Sequence, residues 1–404
     1  MVAIRTRTCF RLPAAGGGIV IPIAAPLLAD EEADAARAVV LSGWVSQGPE
    51  VAAFEGEFAA LVGAPHACAV ANCTTALQLA LAALGIGTGD EVITVSHSFI
   101  ATANVIRYQG ATPVFVDIDP ETYNLDCARL AEAITERTRA IIAVHQMGMP
   151  CDMAALIAVA RRHGIAVIED AACAAGSQIR MNGEWEPIGK PHGDIACFSF
   201  HPRKVITTGE GGMLTTADAE LDRKFRLLRQ HGMSVPDTVR HNSSSVIFEE
   251  YVVLGYNYRM TDMQAAIGRK QLERLPDLVA RRRAVAVGYN ELLGTLEGLH
   301  LPLEAEWARS NWQSYCVRLS DRLDQREVMQ TLLDHGIATR RGIMCAHREA
   351  PYALEKRHHK LPQSELAQDH SILLPLYAQM TEETLVYVAN ALRRVVKPMP
   401  AAHS

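Results

Sequence analysis

The sequence predicts an α/β protein whose central sheet is mostly parallel, followed by a smaller C-terminal α+β domain. The first observation is an alternation of β-branched and helix-like runs, since EVITV, SFIATANVIRYQG and TPVFVDI succeed one another after Asp90. The alternation returns in AIIAVHQ, DMAALIAVARRHG and IAVIEDAA. The second observation is that these strand candidates lack polar alternation, which is typical of parallel strands covered by helices on both faces.

The elements after these βαβ units indicate where the chain divides. Two further strands are predicted at residues 195–200 and 212–216. From about Met263 the pattern becomes that of a long helix with a polar face, in which Pro276 would introduce a kink. The strand candidate SYCVRLS and the helix candidate REVMQTLLDHG follow it. We therefore expect a loose N-terminal tail, a large domain and a small C-terminal domain, at residues 1–18, 19–275 and 276–404.

Composition excludes several classes of protein. The chain has 404 residues, of which 49% are hydrophobic, and this is enough for a large core. A formal net charge of −6 gives no electrostatic case for nucleic acid or an anionic membrane as a partner. No apolar run is long enough to cross a bilayer, and the first residues make a poor signal peptide.

Cysteine and histidine usage completes this picture. The nine cysteines are scattered without a CxxC pair, so a reducing, cytoplasmic setting is expected rather than a disulfide framework. His358-His359 is the most tempting pair of metal ligands. Adjacent residues on a helix point apart, however, and no metal site is predicted.

Lys204 is the first candidate for chemistry, because ligands of open α/β sheets bind at the carboxyl ends of the strands. It lies in SFHPRKVITTGEGG, between a predicted strand and a glycine-rich loop. No carboxylate stands at helical spacing from it, and desolvation would lower its pKa and free the amine to form an imine. The common alternative is an exposed loop lysine.

Three other strand ends supply candidates of weaker individual weight. Asp170 follows AVIE and is either a helix N-cap or a carboxylate for a cationic ligand nitrogen. Thr74 stands near the start of a predicted helix whose free N–H groups suit an anion, although many such helices bind nothing. Phe99 either stacks on a planar ring or belongs to the core. Together with Lys204 and the Ser199 hydroxyl, these groups are what pyridoxal phosphate requires.

With these motifs in place, the sequence resembles the DegT/DnrJ/StrS family of pyridoxal-phosphate sugar aminotransferases. The resemblance extends from SGWVSQGPEVAAFE to ILLPLYAQMTEE, and its most specific stretch is GDIACFSFHPRKVITTGEGGM. It includes ATPVFVDIDPETYNLD and GYNYRMTDMQAAIG. It implies an aspartate-aminotransferase-like fold (PLP fold type I) with pyridoxal 5'-phosphate as the cofactor.

The resemblance also implies a role for each candidate. Lys204 matches the Schiff-base lysine and Asp170 the acid that pairs with the pyridinium. Thr74 and Ser199 match phosphate-binding residues, and Phe99 matches the aromatic residue that stacks on the ring.

One match concerns assembly, and two positions depart from the family pattern. Asn257 matches an asparagine that reaches the phosphate across a dimer interface, which implies a homodimer with shared active sites. Cys73 replaces the glycine of the usual Ser-Gly-Thr turn. Cys173 stands where the family often has Gln or His near the phenolic oxygen of the cofactor, and a thiol is a poorer hydrogen-bond donor. A histidine at position 204 would mark the related sugar dehydratases, so Lys204 argues against that branch.

The activity implied is transfer of an amino group from an amino acid, typically L-glutamate, to a keto-sugar nucleotide. Two alternatives stay open: the same chemistry on a cyclitol or another cyclic ketone, and a catalytically silent regulatory protein on this fold. Residues near the substrate are expected at Gln47, His201, Arg341 and His347. A structural cap remains equally open for His201, and a surface position for Arg341 and its neighbour Arg340.

Overall fold

The computed structural model describes residues 20–235, 239–240, 243–353 and 360–396. The predicted tail at residues 1–18 and the His358-His359 pair lie outside the described residues.

Strands of the described chain form three sheets. In chain order they are β1 (His66–Val70), β2 (Glu91–Val95), β3 (Thr112–Val116), β4 (Thr138–Val144), β5 (Ala166–Asp170), β6 (Gln178–Met181), β7 (Glu184–Pro187), β8 (Ile195–Ser199), β9 (Gly212–Thr216), β10 (Leu299–His300), β11 (Ala308–Arg309), β12 (Tyr315–Leu319), β13 (Arg340–Arg341) and β14 (Ser371–Leu374).

Helices connect these strands and cover them. The α-helices with described bounds are α1 (Asp30–Ser42), α2 (Pro49–Val62), α3 (Cys73–Ala83), α4 (Ala101–Tyr108), α5 (Leu130–Ala133), α6 (Met153–Arg162), α7 (Ala219–Leu228), α8 (Asp262–Leu293), α9 (Gln325–Asp334), α10 (Pro362–His370) and α11 (Glu382–Val396). Short 3₁₀ turns lie at Cys127–Arg129, Gln146–Gly148 and Ala346–Arg348.

A seven-stranded sheet forms the centre of the large domain, in the order β1-β9-β8-β5-β4-β2-β3. Only β9 runs antiparallel to its neighbours, so the prediction of a mostly parallel sheet is confirmed. The predicted strand at residues 195–200 ends one residue earlier, at Ser199, and β9 has the predicted bounds.

Two apolar layers explain why the strands lack polar alternation. Ile93 and Ile141 pack into the core on one face of the sheet, whereas Val92 and Ile142 pack into the core on the other. Successive side chains of a strand point to opposite faces, so a strand covered on both sides needs apolar residues at every position. Full burial of each such side chain stabilises the fold by roughly 1.5–3 kcal/mol.

The small domain is built on a four-stranded antiparallel sheet in the order β10-β12-β14-β13. Helix α8 joins the two domains and continues through Pro276, so the boundary placed at residue 276 falls inside one helix. Leu272 and Leu275 pack into the core of the large domain, whereas Tyr289 and Leu293 pack into that of the small domain. Among the described helices, none is sufficiently long and apolar to traverse a lipid bilayer.

Candidate active site

The strand register brings the segments that carry Thr74, Asp170 and Lys204 to one edge of the central sheet. Gly212 pairs with Val70 on one side and with Ser199 on the other. Asp170, the last residue of β5, pairs with Cys197 two positions before the end of β8. The segments that follow β1, β5 and β8 therefore leave the sheet together, at its carboxyl edge.

Asp170 is a buried carboxylate fixed by two hydrogen bonds. Thr102 donates through Oγ1 to Oδ2 of Asp170 at 2.8 Å, and the backbone N–H of Ala172 donates to Oδ1 at 3.2 Å. The Thr102 hydroxyl also lies 3.0 Å from Oγ of Ser98. Residues 171–177 form turns rather than a helix, so the alternative of a helix N-cap is wrong.

Lys204 is partly buried and its amine points at a sulfur atom. Its Nζ donates to Sγ of Cys173 at 3.1 Å, and its backbone N–H donates to the carbonyl of His201 at 2.8 Å. Burial acts against the ammonium, but Cys173, Cys73 and Asp170 outweigh burial and raise the pKa of Lys204. The expectation of a lowered lysine pKa is therefore wrong for the protein alone, because its neighbours favour the cation.

The predicted anion site lies at the start of α3. Asn72 caps the helix, since its Oδ1 accepts a hydrogen bond from the N–H of Thr75 at 2.9 Å. The N–H groups of the first two helical residues, Cys73 and Thr74, have no intrahelical partners by geometry. Cys73 is buried, and Thr74 is partly exposed. These N–H groups and the helix dipole make this position suited to a phosphate.

Gly212 lets β9 approach this helix closely. A Cβ atom at this position would lie 2.5 Å from the carbonyl carbon and oxygen of Asn72 and 2.8 Å from the nitrogen of Cys73. Real Cβ atoms do not approach backbone so closely, so only glycine allows this contact. The sequence shows Gly212 only as part of a glycine run.

Ser199 and Phe99 differ in their exposure, since Ser199 is buried and Phe99 is open to solvent. Ser199 ends β8, and its Oγ accepts a hydrogen bond from the N–H of His201 at 3.4 Å. Phe99 has 64% of its surface exposed, so the alternative of a core aromatic is wrong. Its open ring lies one residue after Ser98, on the segment that leads into α4.

His201 supports the lysine loop. Its Nδ1 accepts a hydrogen bond from the backbone N–H of Arg203 at 3.2 Å, which favours the structural alternative. The pKa of His201 is lowered by burial and by the cations Arg203, Lys204 and Arg340. Glu210 acts to raise this pKa but does not outweigh them.

Arg340 and Arg341 differ in their surroundings. Arg341 pairs with Glu349 at 3.6 Å, and both side chains are exposed. Burial and the neighbouring cation Arg203 lower the pKa of Arg340. Adjacent residues of a strand point to opposite faces, so β13 turns only one of the two towards the lysine loop. The proximity of Arg203 to Arg340, and the pairing of Arg341 with Glu349, favour Arg340 as the residue that faces the lysine loop.

His347 fastens the small domain to the end of β2. Its Nδ1 lies 2.6 Å from Oγ of Ser96, and its backbone N–H donates to the same oxygen at 3.0 Å. Its Nε2 lies 3.1 Å from Oε1 of Glu365. Both ring nitrogens therefore have protein partners, and the predicted substrate contact of His347 stays a prediction.

Gln47 lies in a segment held by a residue that the sequence did not reveal. Oδ1 of Asp262 accepts hydrogen bonds from the N–H groups of Gly48 at 2.7 Å and Val51 at 3.0 Å, and thereby caps α2. The buried Oε1 of Gln47 has no partner among the described residues. Sequence showed Asp262 only within the stretch GYNYRMTDMQAAIG, because its partners lie more than 200 positions away.

Asn257 is exposed on a segment that runs beside the end of α7. It forms a β-bridge with Gln230, and the flanking rings of Tyr256 and Tyr258 stack with centroids 4.8 Å apart. This position leaves the side chain of Asn257 open to another subunit.

The residues present fit pyridoxal phosphate by the chemistry of their donor groups. The amine of Lys204 suits the aldehyde, and the carboxylate of Asp170 suits a protonated ring nitrogen. Helix N–H groups with the hydroxyls of Thr74 and Ser199 suit the phosphate, and the exposed ring of Phe99 suits a planar ligand. Among the described residues, no group of His, Cys, Asp and Glu is arranged to hold a metal ion.

Comparison with known proteins agrees with this geometry. The sequence profile of the DegT/DnrJ/EryC1/StrS aminotransferase family matches residues 26–393. The spore coat polysaccharide biosynthesis protein SpsC of Bacillus subtilis (strain 168) is 41% identical over 384 residues, which cover 93% of this chain and 97% of SpsC.

Solved structures share the fold over nearly their whole length. The aminotransferase TlmJ of Streptoalloteichus hindustanus superposes with a TM-score of 0.85 at 33% identity, covering 93% of this chain and 98% of TlmJ. Spr1654 of Streptococcus pneumoniae, in its PLP form, superposes with a TM-score of 0.85 at 27% identity, covering 93% and 98% of the two chains. The chain therefore belongs to the DegT/DnrJ/EryC1/StrS aminotransferase family and is a pyridoxal-phosphate-dependent aminotransferase of fold type I.

Proposed function

We propose that this aminotransferase moves an amino group from L-glutamate to a keto-sugar linked to a nucleotide. The observation that carries the proposal is the meeting of Lys204, Asp170 and the start of α3 at one edge of the sheet. The name of SpsC supports a carbohydrate substrate, because it places that relative in polysaccharide biosynthesis.

Each residue of the site has a task in this proposal. When bound, pyridoxal phosphate supplies an aldehyde and a ring that accepts electrons from the substrate. Asp170, oriented by Thr102, keeps a proton on the ring nitrogen. The amine of Lys204 would serve as a positioned general base and acid that holds and returns the proton of the amino-acid α-carbon. The start of α3 and Ser199 bind the phosphate, and Phe99 covers the ring.

A homodimer with shared active sites belongs to the same proposal. The segment that precedes Asn257 exposes an unusual run of apolar side chains, namely Val246 (84%), Phe248 (88%), Tyr251 (64%), Val252 (54%) and Leu254 (91%). Contiguous exposed apolar surface is typical of protein interfaces. A second copy of the chain covering this segment would bring Asn257 to the phosphate of its partner.

The acceptor is expected to carry negative charge. Arg203 lies close enough to Arg340 to lower the pKa of Arg340. The lysine loop therefore contains one cation, Arg203, and has a second, Arg340, beside it. Arginines recognise phosphate oxygens well, which favours a diphosphate-bearing acceptor over an uncharged cyclitol ketone.

The cysteines bear on where the enzyme works. The eight cysteines of the described residues are all free thiols. These thiols support the proposal that the enzyme works in the reducing cytoplasm, where disulfides are rare.

A spectrophotometric screen tests the choice of substrates. The purified enzyme is converted to its pyridoxamine form with L-glutamate, and each candidate ketone is then added separately. We expect keto-sugar nucleotides to restore the absorbance of the pyridoxal form and cyclitol ketones to leave it unchanged. The reverse result would favour the cyclic ketone alternative, and failure of every amino donor would favour a catalytically silent protein.

A further inference from the structure

The peptide group between Arg203 and Lys204 is held at both of its polar atoms. Nε2 of Gln313 donates to the carbonyl of Arg203 at 2.5 Å, and the N–H of Lys204 donates to the carbonyl of His201 at 2.8 Å. A peptide group is planar, and its plane includes the Cα atom of the residue that follows. These two hydrogen bonds therefore restrict the direction in which the side chain of Lys204 leaves the backbone.

Gln313 reaches this loop from the segment that enters β12 of the small domain, two residues before that strand begins. Its side chain is buried. The orientation of its amide follows from its partner, because an oxygen in place of Nε2 would face the lone pairs of the Arg203 carbonyl. The two residues are 110 positions apart, so no local pattern in the sequence links them.

The neighbouring Asn311 holds the turn that receives the amine. Its Nδ2 donates to the carbonyls of Cys173 and Ala175, each at 2.8 Å, and Nζ of Lys204 donates to Sγ of Cys173 at 3.1 Å. Oδ1 of Asn311 accepts a hydrogen bond from the N–H of Gln313 at 2.8 Å. One short segment therefore holds both the base of the lysine side chain and the turn at its tip.

Arg282 on α8 fixes the other side of this segment. It is buried, and it donates to the carbonyls of Trp312 at 3.0 Å and Gln313 at 2.8 Å. Trp312 has a φ of 52°, a left-handed backbone conformation that a bulky residue rarely adopts. Such a conformation persists only where the surrounding contacts outweigh its cost. The hydrogen bonds of Arg282 are contacts of this kind, so Gln313 is held in one place.

We propose that Gln313 is a positioning residue for the reaction, which directs the amine of Lys204 through the carbonyl of Arg203. The proposal rests on the role proposed above for Lys204, whose ammonium and the cofactor aldehyde give a C=N bond. The aldehyde oxygen leaves as water with two protons of the ammonium, and the third proton stays on the nitrogen. Without the hydrogen bond from Gln313 the peptide group can rotate, and the amine is directed less often at the aldehyde carbon.

Two forms of the cofactor separate positioning from general damage to the site, because only pyridoxal phosphate has an aldehyde that can bond to a lysine. The cofactor-free, full-length chain is titrated with pyridoxal phosphate and, separately, with pyridoxamine phosphate. Gln313→Met removes the donor at similar side-chain length. We expect its affinity for pyridoxal phosphate to fall roughly three- to tenfold, because one hydrogen bond to the backbone is lost. Its affinity for pyridoxamine phosphate should stay within about twofold.

Gln379→Met is the matched control. Gln379 also donates through Nε2 to a backbone carbonyl, that of Pro26, at 3.1 Å. The Oε1 atoms of Gln379 and Gln313 are both buried without a hydrogen-bond partner among the described residues. The carbonyl of Pro26 belongs to the segment before α1 and not to the lysine loop, so both affinities should be unchanged in Gln379→Met.

A double variant tests whether Gln313 acts through Lys204. In Lys204→Ala no amine remains to be directed, so adding Gln313→Met should change the affinity for pyridoxal phosphate by less than about twofold. Thermal unfolding curves verify that each variant is folded. Gln313→Leu also lacks the donor, should give the same difference between the two compounds, and replaces Gln313→Met if that variant unfolds.

Three results would overturn the proposal. They are an equal loss of affinity for both compounds in the Gln313 variants, no loss for either compound, and the same loss with and without the amine of Lys204. None of these titrations uses an amino donor or a ketone, so such a result would leave the proposed substrates untouched. A borohydride label on another lysine would instead refute the role of Lys204 itself.

Discussion

Thr102 on α4 donates a hydrogen bond through Oγ1 to Oδ2 of Asp170, and the two oxygens lie 2.8 Å apart. Both side chains are buried, with 2% and 5% of their surfaces exposed. The bond crosses from the helix after β2 to the end of β5, so it fixes the carboxylate that we propose as the partner of the cofactor ring. A hydrogen bond to a charged group contributes about 1.5–3 kcal/mol.

Removing this hydroxyl should weaken cofactor binding without removing the carboxylate. Thr102→Val keeps the shape of the side chain, and we expect affinity for pyridoxal phosphate to fall on the order of tenfold, because Asp170 loses a fixed donor. Titration of the cofactor-free protein, followed by absorbance, measures the change. Thr102→Ser keeps the hydroxyl and should stay near the unmodified value, and an equal loss in both variants would refute the assigned role.

Borohydride reduction should identify the lysine that carries the cofactor. In cofactor-loaded enzyme, peptide mapping is expected to find the reduced pyridoxyl group on Lys204, whose amine donates a hydrogen bond to Cys173 in the site. Lys204→Ala should abolish both the label and the turnover. A label on any other lysine, or undiminished turnover of Lys204→Ala, would contradict the proposed mechanism.

Mixing two inactive variants tests the shared active site. Lys204→Ala and Asn257→Ala chains should each be inactive or weak alone. If Asn257 serves the partner, a mixed dimer regains one complete site, and equal mixing after subunit exchange should recover about a quarter of normal activity. If Asn257 serves its own subunit, no site becomes complete and no activity returns.

Leu254→Glu on the exposed apolar segment should shift the protein towards monomers in analytical ultracentrifugation.

Glu55 should make the fold sensitive to acid. It lies on α2, where Arg229 donates to its Oε1 at 2.5 Å and Arg226 to its Oε2 at 2.7 Å. Burial acts to raise the pKa of Glu55, but the two arginines outweigh burial and the net pKa lies below its ordinary value. The native state therefore binds this proton more weakly than the unfolded state. The stabilisation is fully present above the unfolded pKa and is lost as pH falls through the folded pKa.

Glu55→Gln should accordingly destabilise the protein by about 3–5 kcal/mol at neutral pH, because it leaves Arg229 buried without its charged partner. Urea unfolding measured from pH 7 down to the acid range checks both effects, and the gap between variant and unmodified protein should narrow as pH falls. Glu220→Gln breaks an exposed pair with Arg223 and should change stability by less than about 1 kcal/mol. A gap at Glu55 that does not depend on pH would contradict the ionic explanation.

Gly212→Ala should disturb the phosphate end of the site. The added methyl group would meet backbone atoms of Asn72 and Cys73 at 2.5–2.8 Å, so either β9 or the start of α3 must move. We expect weaker binding of pyridoxal phosphate together with a loss of stability of roughly 1–3 kcal/mol from overpacking. Gly56→Ala is the matched control, since a methyl group there meets nothing within 4 Å and helices favour alanine. Equal cofactor affinity in both variants would exclude the close approach at Gly212 as a requirement.

The sequence by itself determined the α/β class, the mostly parallel sheet and the candidates Lys204, Asp170 and Thr74. Strand and helix periodicity and the peptide motifs at strand ends are local properties, so neighbouring residues are enough to reveal them. The domain boundary was harder to place, because α8 carries the apolar residues of two cores along one uninterrupted helix.

Only the tertiary structure decided which side chains act on one another. Asp262 caps a helix that begins 213 positions earlier in the chain, and no local pattern links the two. The pKa of Lys204 rises rather than falls because Asp170 and Cys173, from the end of β5, and Cys73, from the segment after β1, surround its amine. Electrostatic and packing energies depend on distances in space, and these distances exist only after the chain has folded.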